Sequence, residues 1–356
     1  MAKVMAAMSG GVDSSVAACL LMEQGHQVMG ATMKLFAGQE TEPARAGACC
    51  SLADAEDARG VCHKLGIPHY VFNFTDRFRQ EVIGRFIQEY REGRTPNPCV
   101  DCNRYLKFGA LLDRAVTLGQ DYVATGHYVR VSYDSGSGRY LLRRGLDPAK
   151  DQSYALYMAT QEQLAHSLFP LGELTKGEVR EIARDRGLVT AAKPDSQDIC
   201  FVPHGDYGRF IRESTGEDIP AGDLLDLDGR VIGRHRGMLH YTVGQRKGLG
   251  VGFGQPMYVC AKDPARNTVT LGPNEALFAR TLTARDLNLI ALAQLDRPLR
   301  AQAKIRYNGS AQPATVHQTA PGEVLVEFDA PQRAITSGQA VVFYDGDAIL
   351  GGATIL

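Results

Sequence analysis

Ala6-Ala7-Met8-Ser9-Gly10-Gly11-Val12-Asp13-Ser14-Ser15 is the stretch from which the rest of the chain can be read. It follows a short apolar run, 3–7, and leads into Val16-Ala17-Ala18-Cys19-Leu20-Leu21-Met22, which reads as a helix stopped by Gly25. The order is therefore strand, glycine turn, helix. Two glycines let the backbone turn tightly and carry its N–H groups close to an anion, because no Cβ intrudes. Ser9, Ser14 and Ser15 add hydroxyls, and the helix behind them points its positive end into the turn. Such a turn cradles phosphate. It is not the Walker form, which closes on Gly-Lys-Ser/Thr; Asp13 stands in the region where a lysine belongs. A carboxylate beside a phosphate site makes sense when a divalent cation, here Mg2+, lies between them. The plainer reading is a turn of small residues, but two glycines and three hydroxyls at one helix start exceed what a turn needs.

The run Ser-Gly-Gly-Val-Asp-Ser-Ser resembles the PP-loop ATP pyrophosphatases. That resemblance implies ATP bound through its pyrophosphate, release of pyrophosphate, and a carbonyl oxygen left adenylated.

At 356 residues the chain has room for two or three domains and an ample core. Thirty-nine Lys and Arg against forty Asp and Glu give a net charge of −1, so any nucleic-acid binding must come from local patches. No apolar stretch reaches membrane-spanning length, and no charged-then-apolar leader opens the chain, so a soluble, cytoplasmic protein with no membrane partner is expected. Eight cysteines in so long a chain are no disulfide scaffold; some are candidates for catalysis or metal binding.

Residues 27–36 read as a second strand, making a βαβ unit and hence a parallel sheet, with nucleotide expected at the carboxyl ends of the strands, near Met33. Strands are expected at 69–74 and 122–128, the latter ending in Gly126 and His127 at the same edge, and helices at 52–65, 78–90 and 107–118. Residues 38–47 read as a polar loop; Cys49 and Cys50 have no interpretable spacing, and Cys62 falls on a helical core position. Pro96 and Pro98 argue against a helix and for an extended approach to Cys99 and Cys102. A hairpin is expected at 136–138. Thr175-Lys176-Gly177-Glu178 reads as a capping box for a helix over 179–186, and 193–201 as a loop carrying Cys200. Beyond Val202, short β-like runs alternate with Gly, Asp and Pro (224–227, 231–234, 257–261, 268–271, 300–307, 314–318, 324–328, 340–344, 348–351). The expected architecture is α/β: a doubly wound parallel sheet over 1–203, a small β-rich linking domain over 204–276, and a terminal β-barrel over 277–356.

Cys102 and Cys200 both fall outside periodic apolar segments, which weakens the reading of each as an inert buried thiol. Beside an adenylating loop they suggest sulfur chemistry. A thiolate carrying an extra sulfur can attack a carbon whose leaving group is AMP; a second thiolate then attacks the inner sulfur and leaves a disulfide.

The motifs Thr95-Pro96-Asn97-Pro98, Cys102-Asn103, Ala124-Thr125-Gly126-His127-Tyr128, Lys150-Asp151-Gln152-Ser153-Tyr154, Asp195-Ser196, Ile199-Cys200-Phe201 and Thr242-Val243-Gly244-Gln245-Arg246-Lys247-Gly248-Leu249-Gly250 resemble the bacterial tRNA-specific 2-thiouridylases from the first strand to the end of the chain. The resemblance implies adenylation of the C2 oxygen of the wobble uridine in a tRNA anticodon stem-loop, then replacement of that oxygen by sulfur from a sulfur-relay protein or sulfide donor. It implies ATP contacts at Ala7, Met8, Ser9, Gly10, Gly11, Val12, Asp13, Ser14, Met33 and Gly126, with Asp13 catalytic through its cation. It makes Cys102 the nucleophile and Cys200 the persulfide carrier. Asn97, Pro98 and Cys99 would face the target base, and His127, Lys150, Asp151, Gln152, Arg306, Tyr307 and Gln339 would touch tRNA.

In one position the chain departs from the familiar form of that family: Cys99 stands in place of an aspartate. Cys99, Cys102 and Cys200 then offer three thiolates, a count that suits an iron–sulfur cluster with one open iron. Zinc also takes thiolates but gives no obvious help in moving sulfur, and Cys99 as a spare thiol is the plainer reading. Basic residues gather at Arg139, Arg143, Arg144 and Lys150, at Arg234, His235, Arg236, Arg246 and Lys247, and at Arg297, Arg300, Lys304 and Arg306. Three such groups fit a long nucleic-acid backbone, with Tyr241 and Tyr307 available to stack on unpaired bases. The run 244–254 reads as a glycine-rich connector. Two other readings stand beside the thiolase: a PP-loop amide or guanidino synthetase acting on a small molecule, of the argininosuccinate synthetase kind, and a non-catalytic nucleotide- and RNA-binding protein.

Overall fold

The structure, a computed structural model, describes all residues except 37–51, 196–198, 203–204, 218–219, 251 and 253. The predicted 38–47 loop, Cys49, Cys50 and Ser196 lie outside the described residues.

Strands β1 (Lys3–Ala7), β2 (Gln27–Lys34), β3 (His69–Asn73) and β4 (Tyr122–Ala124) are joined, after the hairpin β5 (Val129–Asp134) and β6 (Arg139–Arg144), by the short β7 (Ser167–Leu168). They lie in the order β3-β2-β1-β4-β7, with every pairing parallel. The chain runs outward from β1 to β3 and resumes on the other side at β4. The reversal between β1 and β4 leaves a crevice at their carboxyl ends, where open α/β sheets bind ligands.

Alternation along β1 sends Met5 to one face and Val4 and Ala6 to the other. The helical stretches 75–91 and 98–117 cover the first face through Phe78, Phe86, Leu106 and Leu111. Helices α1 (Val12–Glu23), α2 (Leu52–Leu65) and Lys176–Asp185 cover the second through Val16, Val61 and Val179. Cys62 is a core residue as expected: it is fully buried, and a Cβ on Gly30 would stand 2.4 Å from its sulfur. Burial pushes its thiol up to about 11, which keeps it protonated and inert.

The prolines before Cys102 correct the sequence reading. Asn97 caps a helix, its side chain accepting from Cys99 N at 3.2 Å, and Pro98 takes the first helical position, where its missing N–H costs nothing. The helix runs on from Pro98–Asp101, and Cys102–Ala110 has the wider π winding that gathers at functional sites. Cys102 therefore sits on a helix and not in a loop.

Past the parallel sheet, the helix Tyr207–Thr215 was not foreseen, although Asp206 caps it and Gly216, at φ 70°, ends it; its Phe210 and Ile211 join the first-face core. Strands β8 (Gly222–Leu225), β9 (Val231–His235), β10 (Tyr258–Asp263) and β11 (Thr268–Gly272) make a four-stranded sheet ordered β10-β11-β8-β9. Gly244 N donates to Val259 O and Val259 N to Gln245 O, so the glycine-rich run starts pinned to β10.

The last six strands close a barrel: β12 (Phe278–Leu289), β13 (Leu299–Lys304), β14 (Gln312–Ala320), β15 (Glu323–Arg333), β16 (Ala340–Asp345) and β17 (Ala348–Ile355), with β17 pairing back on β12. Strand β12 escaped the sequence reading because only Leu282 and Ala284 along it are buried.

The hairpin β5–β6 joins this barrel. Arg143 on β6 pairs with Ala348 on β17, and Val129, Leu142 and Tyr154 share one core with Ile290, Val342 and Tyr344. Arg139 donates to the carbonyls of Leu289 and Ile290, Arg143 to Asp347 at 2.7 Å, and the Arg144 guanidinium lies 4.0 Å from the centre of the Tyr344 ring. These arginines, expected to meet nucleic acid, fasten the β5–β6 hairpin to the barrel. Among the described residues no helix is long and apolar enough to cross a membrane.

Candidate active site

The glycine turn lies at the β1/β4 crevice. Gly10 has φ 72°, and a Cβ there would stand 2.2 Å from the Asp54 carbonyl oxygen, so glycine is required. Gly11, the N-cap of α1, brings no side-chain cap, which leaves the first-turn amides to an anion. Ser14 Oγ accepts from Ser9 N at 3.2 Å and closes the turn. Ser15 does not face the turn: it is fully buried, donating to Gly11 O at 2.8 Å and accepting from Thr190 at 3.0 Å. Gly126 packs against the start of α1, where a Cβ would stand 2.8 Å from Ser14 N. Ala7 and Met33, at the carboxyl ends of β1 and β2, complete the crevice floor. An uncapped helix start, a Cβ-free turn and one first-turn carboxylate fit a phosphate group with a hard cation, and Asp13 is the residue that would hold that cation.

Around the turn stands a shell of ion pairs that sequence reasoning missed. Asp13 accepts from Lys176 Nζ at 2.7 and 2.8 Å and from Tyr128 Oη at 2.7 Å. Lys193 donates to Gly10 O at 3.0 Å, to Asp54 at 2.5 Å and to Asp57 at 2.7 Å, tying the turn to α2. Asp195 accepts from Lys150 at 2.8 Å, Lys176 at 2.9 Å and Arg180 at 3.0 Å. Burial pushes the Asp195 carboxyl up, but hydrogen bonds from Lys150 and Lys176 outweigh it and hold the group at about 2, below its ordinary 3.8. The stability this carboxylate contributes is therefore complete above about pH 4 and lost as pH falls through about 2. Urea unfolding across that window is expected to show a steeper loss for the wild type than for Asp195→Asn.

Lys176 owes its place to the predicted capping box. Thr175 Oγ1 accepts from Glu178 N, and the Glu178 carboxylate accepts from Thr175 N at 2.7 Å. The helix begins at Lys176, earlier than the expected 179. Thr175→Ala should cost about 1 kcal/mol in denaturant unfolding and loosen the grip of Lys176 on Asp13.

Cys102 and Cys200 both pack, partly buried, against the first-face core that also takes Ala7 and Met33. Cys99 is exposed, one turn before Cys102 on the same helix. Among the described residues no three His, Cys, Asp or Glu side chains converge as metal ligands. Cys99, Cys102 and Cys200, the three thiolates expected of an iron–sulfur site, are not gathered as such a group among the described residues: Cys99 is exposed, and Cys102 and Cys200 are partly buried.

The residues expected at tRNA divide by burial. His127 is buried: its Nδ1 bonds Thr125 Oγ1 at 2.7 Å and its Nε2 meets Lys107 Nζ at 3.4 Å. Burial, then the Lys107 charge, lowers its pKa well below the usual range, so it is neutral at pH 7 and off the surface. Tyr241, expected to stack on bases, is 1% exposed and donates to Leu249 O at 3.2 Å. Asp151 accepts from Ser153 Oγ at 2.9 Å, and Gln152 Oε1 accepts from Tyr128 N at 3.0 Å. Arg306 donates to the carbonyls of Arg333 and Ala334. Gln339 donates to Thr95 O at 2.7 Å while Thr95 N donates to Ser337 O at 2.8 Å, so a barrel turn presses on the segment before Asn97 and Pro98. Tyr307, 40% exposed, leans on Tyr154 and donates to Asp151 O at 3.5 Å. Its pKa is raised by burial and then by the charges of Asp151 and Cys99. Barrel residues thus reach the mouth of the cysteine site.

A family model described as the tRNA methyl transferase HUP domain matches residues 2–204; a tRNA methyl transferase PRC-barrel domain matches 208–273 and an aminomethyltransferase β-barrel domain 279–355. A tRNA-specific 2-thiouridylase MnmA of Acetivibrio thermocellus is 52% identical over 99% of this chain and 99% of its own. Proteins of the same name from Moorella thermoacetica and Heliobacterium modesticaldum are each 55% identical over 99% of this chain, and over 98% and 92% of their own lengths. The full-length identity and the order of motifs agree: the chain belongs to the tRNA-specific 2-thiouridylase family.

Proposed function

We propose that this protein is an ATP-dependent tRNA uridine 2-sulfurtransferase. The C2 oxygen of a wobble uridine attacks the α-phosphorus of ATP, pyrophosphate leaves, and AMP remains esterified to that oxygen. The uncapped α1 N-terminus would orient the phosphates for this in-line displacement, and Asp13 would hold a Mg2+ ion, which would supply neutralisation of their charge. The terminal sulfur of a Cys200 persulfide then attacks C2. The Cys102 thiolate attacks Cys200 Sγ and breaks the S–S bond, AMP departs with the original oxygen, and a Cys102–Cys200 disulfide remains for an external thiol to reduce. A persulfide-bearing relay protein is the proposed source of sulfur. Tyr307, Lys150 and the exposed Cys99 border the approach to the uridine.

The observation that carries this reading is that Cys102 and Cys200, far apart in sequence, rest on the same core as Ala7 and Met33 beside the phosphate turn. It is tested by pyrophosphate release from ATP. Release is expected to rise with unmodified tRNA and to ignore amines and amino acids; release driven by an amino acid and indifferent to tRNA would favour the small-molecule synthetase.

A further inference from the structure

The turn before α1 lacks the lysine of Walker loops, yet an ammonium stands beside it. Lys176 Nζ lies within 2.8 Å of both Asp13 oxygens and 2.9 Å from Asp195, on a side chain only 12% exposed. It is braced from behind by the Thr175 and Glu178 cap, by its own N–H on Asp147 at 3.0 Å, and by the Tyr128 ring 5.8 Å from the ammonium. One ammonium thus serves two acids. Asp195 also has Lys150 and Arg180, so it stays neutralised when Lys176 shifts. Asp13 has both oxygens on Lys176, and Oδ1 on Tyr128 as well, so a divalent cation that takes this carboxylate competes with the ammonium for the same negative charge and repels it. The space next to the released ammonium is the uncapped α1 start, where phosphate belongs.

We propose that Lys176 is the phosphate-binding lysine of this turn, supplied from a distant helix. It is stored on Asp13 in the nucleotide-free protein and passes to the pyrophosphate moiety when a divalent cation takes Asp13, with Asp195 keeping it in reach. This rests on the ATP reading above and adds the residue that replaces the absent Walker lysine. Lys150 and Arg180 do not fill that place, because they meet Asp195 and not Asp13.

The test is calorimetric binding of inorganic pyrophosphate, with and without Mg2+, to the full chain. Lys176→Gln should weaken Mg2+-dependent binding by about tenfold or more, and Lys176→Arg should restore part of it. Asp13→Asn should lose the Mg2+ dependence yet bind metal-free pyrophosphate more tightly than the wild type, because Lys176 is no longer held in store. Loss of the Asp13 charge alone also eases binding of an anion, so the gain is compared with that of Asp13→Asn/Lys176→Gln: a purely structural Lys176 leaves it intact in the double variant, and a phosphate-binding Lys176 abolishes it. Unchanged binding by Lys176→Gln, or no metal-free gain in Asp13→Asn, overturns the proposal. Should Lys176→Gln fail to fold, Lys176→Met takes its place in both the single and the double variant. A wild type that binds no pyrophosphate under either condition overturns the ATP reading itself, and this inference with it.

Discussion

Cys200→Ser is expected to cut thiolation by more than about a thousandfold while pyrophosphate binding and the fold survive. The reason is chemical. A hydroxyl cannot carry a transferable sulfur, and nothing else in the proposed sequence supplies the atom that attacks C2. The structural cost is small, because Cys200 lies partly exposed at the rim of its core and serine nearly matches its volume. Single-turnover thiolation, read beside pyrophosphate calorimetry and a thermal melt, separates the two effects. Wild-type turnover in this variant would remove Cys200 from the reaction.

The second large effect is at Gly10. Alanine there meets a left-handed backbone at φ 72° and the Asp54 carbonyl at 2.2 Å, a backbone atom of a residue whose side chain Lys193 holds. The turn has to unwind. Gly10→Ala should lower stability by roughly 1–3 kcal/mol and weaken ATP binding by about a hundredfold or more. Gly11 supplies the control: its φ is −93°, and an added Cβ would meet nothing nearer than Ser9 Oγ at 3.5 Å. Gly11→Ala should fold normally and change affinity far less. Equal losses in both variants would mean that the turn is not held by the Asp54 contact.

Local signals made the phosphate turn, the βαβ opening and the capping box at Thr175 legible, since each is written in a few neighbouring residues. The start at Pro98 was misread because a proline at the first helical position and a proline that stops a helix look alike until Asn97 is recognised as the cap. Strand β12 was lost because its outward residues, among them Arg280, Arg285 and Asp286, drown the two that face the core. The shell around Asp13 was illegible for a different reason. Lys176, Lys193 and Asp195 come together with Asp13 and Gly10 only after the sheet reverses at β4, so no spacing in the sequence records it. The arginines at 139, 143 and 144 show the converse: a basic run that looks like an RNA surface is spent on the chain's own barrel.

Everything proposed here requires one product. Unmodified tRNA incubated with the purified protein, ATP, Mg2+ and a persulfide donor, then cut by a ribonuclease to oligonucleotides and sequenced by mass spectrometry, should carry 2-thiouridine at the wobble position, and only when ATP is present. A methylated uridine in its place, or 2-thiouridine formed equally well without ATP, would contradict the account.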